Sequence, residues 1–169
     1  LAKELERQGV GRGLDQFANE DNPAAHYRSI GPEIWKESDG VVTHFISCMG
    51  TTGTIVGVAK YLKEQNPAIQ VIGVQPIEGC QIAGMRNWSP QYMPPIYDPD
   101  LIDDVIEISP ELANETTRRL TQEEGIFAGI SSGAAVAAAL RVGRRVENAV
   151  IATIACDRGE RYLSTGLYD

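Results

Sequence analysis

Between a β-branched run and a helical pattern the chain reads Gly50-Thr51-Thr52-Gly53-Thr54. Glycines let a backbone approach an anion closely. Three threonine hydroxyls can donate to phosphate oxygens, and the free amides and dipole of a helix start add partial positive charge. The loop fits neither G-x-G-x-x-G nor G-x-x-x-x-G-K-[ST], so it points to a phosphate site of neither the dinucleotide nor the Walker kind. The competing reading is a tight strand-to-helix turn whose threonines cap the helix. Ser131, ahead of an alanine-rich stretch, reads by itself as a helix N-cap. Cys48, Cys80 and Cys156 are scattered, with no C-x-x-C, and read as reduced thiols of a cytoplasmic protein. His26 and His44 lack metal-ligand spacing and read as structural, so no metal is expected. The chain has only four lysines: Lys3, Lys36, Lys60 and Lys63.

The elements that would position these residues follow from periodicity and punctuation. Leu1 to Gln8 reads as the end of a helix, stopped by Gly9 and Gly11. Asp15 to His26, polar and containing Asn22-Pro23, reads as a loop. Pro32 suits the first turn of a short helix over 31–36. Val41 to Ser47 is a strand, Ile55 to Gln65 a helix with Ile55, Val58, Ala59 and Leu62 on one face, and Gln70 to Gln75 a second strand. Strand, Gly-rich turn, helix, strand is the βαβ unit of a parallel sheet. A weaker strand covers Val105 to Ile108. Ser109-Pro110 caps a helix that runs to Glu124, with Gly125 as its stop. Ser131 opens a helix from Gly133 to about Val142, and Ala149 to Ala155 is an apolar strand. The stretch 79–101 carries four prolines and reads as irregular. The expected fold is α/β, a doubly wound and mostly parallel sheet.

Composition sets the outer bounds. The chain has 169 residues, 43% hydrophobic and 22% charged, with a net charge of −8. These values are those of an ordinary globular domain. No apolar run of about 18 residues is present, so no transmembrane helix is expected. No stripe of clustered Lys and Arg exists, so neither nucleic acid nor an anionic membrane is an expected partner.

Several segments together carry a resemblance. VVTHFIS followed by GTTGT, Asp15-Gln16-Phe17 with Asn22-Pro23 and His26, Gly31-Pro32-Glu33-Ile34-Trp35, Glu124 to Ala134 (EGIFAGISSGA) and Gly159 to Thr165 (GERYLST) agree in order and spacing. The chain resembles the β-family (fold type II) pyridoxal-phosphate enzymes, and among them the cysteine synthases (O-acetylserine sulfhydrylases). GTTGT, Ala155-Cys156-Asp157-Arg158-Gly159 and Gly84-Met85-Arg86-Asn87-Trp88 resemble the B-type branch, which uses sulfide and also thiosulfate.

The resemblance implies β-replacement with pyridoxal 5'-phosphate as cofactor, small-molecule substrates and a homodimer. It assigns Gly50, Thr51, Thr52, Gly53 and Thr54 to the cofactor phosphate and Ser131 to the pyridine nitrogen. Gln16 would help bind the substrate carboxylate, while Arg86, Cys156 and Asp157 would line the mouth of the site. None of the four lysines matches the family's Schiff-base lysine, and the Thr/Ser-Gly-Asn-Thr substrate loop does not occur. The chain therefore reads as a C-terminal portion: residues 1–10 as the tail of a small N-terminal domain, 11–169 as most of the large cofactor domain. The catalytic residue is expected outside it, and the fragment alone is expected to be inactive. Two alternatives stay open, another β-family lyase or synthase, and a non-catalytic domain binding a phosphorylated ligand.

Overall fold

A computed structural model describes residues 1–169. The first βαβ unit forms as its pattern predicts. Strand β1 (His44–Cys48) is followed by the Gly-Thr loop, then by a helix over Gly53–Gln65 and by strand β2 (Gln70–Pro76). Upstream lie α1 (Ala2–Arg7), α2 (Asp21–Arg28) and α3 (Ile30–Glu37), which makes the helix after β1 α4. Downstream come β3 (Asp104–Ile108), α5 (Pro110–Glu124), α6 (Ile130–Gly143), β4 (Ile151–Thr153) and a final 3-10 turn over Gly159–Thr165.

The four strands are all parallel, in the order β3-β2-β1-β4. Alternation along β1 feeds two cores. Phe45 and Met49 pack with Ile55, Val58, Ala59 and Leu62 of α4 on one face. Ile46 packs with Ile72, Val74 and Ile108, and with Ala134, Ala137 and Ala138 of α6, on the other. Each fully buried large side chain contributes about 1.5–3 kcal/mol. Helices thus cover both faces, as a doubly wound sheet requires. From β1 the chain lays β2 and β3 down on one side, then returns from β3 through α5 and α6 to place β4 on the other side of β1. That reversal creates a crevice beyond the carboxyl ends of β1 and β4, where open α/β sheets bind ligands.

Three expectations need correction. Residues 21–28 form a helix and not a loop, because Pro23 occupies the first turn, where a missing N–H costs nothing. The last strand is three residues long and not seven: as an edge strand it has β1 alone to pair with. Ser131 is not an N-cap. Gly129 holds that position, and the cap comes from a residue far along the chain. The Ser109 cap forms as expected, its hydroxyl accepting from the Leu112 amide at 3.3 Å, with Gly125 left-handed after the helix.

Candidate functional site

The Gly-Thr loop leaves the end of β1 and turns into α4 through Thr52, which is left-handed (φ 72°, ψ −6°) and 2% exposed. A β-branched residue adopts that conformation at a cost of about 1–3 kcal/mol and does so where the surroundings dictate it. Its hydroxyl Oγ1 is buried and has no hydrogen-bond partner within the protein. The amides of Thr54 and Ile55, in the first turn of α4, also lack protein acceptors. A buried unsatisfied hydroxyl beside free helix-start amides is a set of donors organised around an anion.

Helix α2 braces this loop. Asn22 Nδ2 donates to Thr51 Oγ1 at 2.9 Å and to the Gln16 carbonyl at 2.7 Å. His26 Nε2 lies 3.2 Å from Thr54 Oγ1. Burial pushes His26 below the usual imidazole range, so at neutral pH it is uncharged. Packing is close enough that a Cβ on Gly53 would collide with the Asn22 amide. Asn22 and His26 stand four apart on one helix face, a spacing invisible while the segment is read as a loop.

A cleft of about 1190 Å³ opens beside the loop, lined by Gln16, Phe17, Gly50, Thr51, Arg86 and Trp88 among others. Trp88 anchors its far wall: Nε1 donates to the Gly50 carbonyl at 2.8 Å, and the ring meets Phe17 edge-on with centroids 5.8 Å apart. The Arg86 amide donates to the Met49 carbonyl at 2.9 Å, and its guanidinium sits 5.9 Å from the Trp88 ring centroid. Arg86 is exposed and pairs with no carboxylate. No lysine lines the cleft. Lys60 lies 5.7 Å from the Tyr27 ring centroid, Lys63 pairs with Asp103 at 2.8 Å, and Lys3 and Lys36 are in α1 and α3.

Gln16, Gly50, Thr51 and Arg86 thus share one cleft, while Ser131, Cys156 and Asp157 form a second cluster. Gly84 (φ 82°) joins the two: its carbonyl faces Gly50, and a Cβ on it would stand 3.4 Å from Ser131 Oγ. Ser131 Oγ lies 3.0 Å from Cys156 Sγ, and Cys48 Sγ donates to the Ser131 carbonyl at 3.1 Å. Asp157 does not stand free at the mouth. Its carboxylate accepts from the Ser131 and Ser132 amides (3.2 and 3.0 Å), from Ser132 Oγ (2.6 Å) and from Tyr162 Oη (2.7 Å), and so caps α6. Burial works to raise the Asp157 carboxyl, but the hydrogen bonds from Ser132 and Tyr162 outweigh it and hold it below the usual carboxylate range. Tyr162 is pushed up, by burial and by its bond to that carboxylate. Sequence reading located Asp157 but not this role, because a cap supplied across 25 residues leaves no local signature.

Residues 1–157 match the family of pyridoxal-phosphate dependent enzymes. The chain is 59% identical over 169 residues to cysteine synthase B of Pseudomonas aeruginosa, covering all of this chain and 56% of that one. It is 51% identical over 168 residues to cysteine synthase B of Escherichia coli, covering 99% and 55%. Among solved structures it resembles O-ureido-L-serine synthase (TM-score 0.89, 35% identity, 99% of this chain and 56% of that one). A cysteine synthase from Entamoeba histolytica is similar too (TM-score 0.87, 36% identity, 98% and 52%). The chain spans about half the length of the relatives it matches. With a family match over nearly its whole length, the chain belongs to the pyridoxal-phosphate dependent enzymes.

Proposed function

We propose that the protein performs pyridoxal-phosphate-dependent β-replacement, making cysteine from O-acetylserine and sulfide, or S-sulfocysteine from thiosulfate. The observation that carries the reading is the buried, unpartnered Thr52 hydroxyl held left-handed at the start of α4. This donor set suits a phosphate, so the residues fit the cofactor. When bound, pyridoxal phosphate supplies the electron sink for loss of the α-proton and substitution at the β-carbon.

The chain's own residues bind and orient. The amides of the loop, with Thr51, Thr52 and Thr54, hold the phosphate, and Asn22 and His26 keep two of those hydroxyls aimed. Ser131 faces the ring nitrogen; a hydroxyl there cannot protonate the ring as a carboxylic acid could. Gln16 takes part in holding the substrate carboxylate. Arg86, a free cation on an aromatic wall, receives the anionic sulfur donor. Asp157 holds Ser131 in place through its amide.

Residues 1–10 belong, in this reading, to the tail of a smaller domain, which the absence of any buried residue in α1 supports. The complete enzyme is a homodimer of the cytoplasm in this reading; three free cysteines support a reducing compartment. With no lysine lining the cleft, the 169-residue chain alone turns nothing over. The test is to titrate pyridoxal phosphate against the chain and against the holoenzyme, and to assay cysteine formation from O-acetylserine. Turnover by the isolated chain would sink the lysine argument. Failure of the holoenzyme to use O-acetylserine with either donor would sink the function.

A further inference from the structure

The two strands that flank the switch point each lead into a cysteine, Cys48 ending β1 and Cys156 following β4, and Ser131 lies between the two sulfurs. Ser131 is 3% exposed. Its amide is committed to Asp157 and its carbonyl accepts from Cys48, so the hydroxyl is its one group free to choose a direction. That hydroxyl has a single hydrogen-bond partner in the protein, Cys156 Sγ at 3.0 Å, and either atom can be the donor.

We propose that Cys156 is a positioning residue for Ser131, its sulfur deciding whether the Ser131 hydroxyl donates to the ring nitrogen of bound pyridoxal phosphate or turns to the sulfur. The inference rests on the cofactor reading above. As a thiol, Cys156 gives its S–H to Ser131 Oγ, and the O–H is left for an unprotonated ring nitrogen. As a thiolate, Cys156 accepts the Ser131 O–H, and the ring nitrogen loses that donor. One ionisation at sulfur therefore turns the Ser131 hydroxyl from the ring to the sulfur, with one proton released to solvent.

The surroundings put this ionisation within reach. The groups facing Cys156 are Cys48 from β1, Ser131 from α6, its neighbour Asp157, and Tyr162 from the final turn. The neighbouring Cys48 thiol is the main influence lowering Cys156, burial opposes it, and the bond with Ser131 also lowers it; the thiol falls to about 6. Cys48 moves the opposite way, raised well above the ordinary thiol range by its interaction with Cys156 and by burial, and stays protonated, its S–H on the Ser131 carbonyl. Asp157 repels the thiolate, but its charge is held by the α6 amides and by Tyr162.

The test has two arms on the holoenzyme. First, iodoacetamide alkylation of Cys156 is followed across pH by peptide mass spectrometry, in the wild type and in Ser131→Ala. The wild-type midpoint is expected near 6 and is expected to rise by about one pH unit or more in Ser131→Ala, which removes a donor to the thiolate. Second, the absorbance and emission of the bound cofactor are titrated with pH in the wild type, Cys156→Ser and Cys156→Ala. A spectral transition with the thiol's midpoint, absent from both variants, supports the proposal. A transition that persists in both variants, or a thiol midpoint indifferent to Ser131→Ala, overturns it. Protein that binds no pyridoxal phosphate overturns the function reading and this inference together; bound cofactor whose spectrum ignores Cys156 overturns this inference alone.

Discussion

Replacing Asp157 with alanine tests the claim that one carboxylate, supplied from beyond β4, holds the start of α6. The carboxylate accepts four hydrogen bonds, from two helix-start amides and two hydroxyls. Loss of an N-cap of this kind costs about 1–2 kcal/mol. The Tyr162 hydroxyl loses a charged acceptor but can turn to water, and the buried Ser132 hydroxyl can turn to the backbone carbonyl of residue 157 at 3.3 Å, which costs roughly 0.5–1 kcal/mol each. The total is about 3 kcal/mol, or about 6–12 °C in melting temperature for a chain of this size. Asp157→Asn keeps the shape and one acceptor oxygen, and should lose about half as much. Because the folded carboxyl sits below its unfolded value, its contribution is complete above the unfolded pKa near 4 and disappears as pH falls through the folded value. The difference between wild type and Asp157→Ala should therefore be flat from pH 5 to 7 and shrink below pH 4. Urea and thermal unfolding, monitored by circular dichroism at several pH values, measure this directly. A melting-temperature drop under about 2 °C, or a difference that grows toward acid, would refute the cap.

Three further perturbations separate stability from binding. Thr52→Gly removes a β-branched residue from a left-handed conformation and should stabilise the fold by about 1 kcal/mol in urea titration, while weakening pyridoxal phosphate binding measured by fluorescence. Arg86→Ala should lower kcat/KM for thiosulfate by about two- to fivefold more than for sulfide, the loss of one exposed charge pair; equal losses on both donors would remove Arg86 from donor recognition. Asp103→Asn breaks the pair with Lys63 and weakens acceptance of the Val71 amide at 2.7 Å, and should cost about 1–2 kcal/mol. Burial works to raise the Asp103 carboxyl, but Lys63 and the Val71 amide hold it low, so this stabilisation is present at neutral pH and is lost as pH falls through the folded value.

The βαβ unit was legible because its apolar residues repeat at the helix and strand periods and its turn is bounded by glycine. The Gly-Thr loop was legible as a turn for the same local reason. What escaped was set by contacts between distant segments. Asn22 and His26 brace the loop from a helix that an Asn-Pro pair disguised as a turn. Ser131 has the residue type of a cap, yet its cap is Asp157. The seven-residue apolar run at 149–155 yields a three-residue strand because a sheet edge supplies only one neighbour. Family resemblance pointed to Cys156, but its contact with Ser131 depends on how β1 and β4 end side by side.

The strand order has a kinetic consequence. β1 meets β2 through the nearby α4 hairpin-like crossover, but its contacts with β4 span 107 residues, as in the bond from Thr153 Oγ1 to the Ile46 carbonyl. Closing so long a loop costs more chain entropy than any local pairing, so this edge of the sheet forms late and opens early. The Gly-Thr loop belongs to the early unit and the Cys156–Asp157 segment to the late one. Amide exchange should then protect β1 and β2 longest, with residues 128–132 and 151–162 exchanging through a lower-energy opening that separates the two halves of the site while the central strands stay folded.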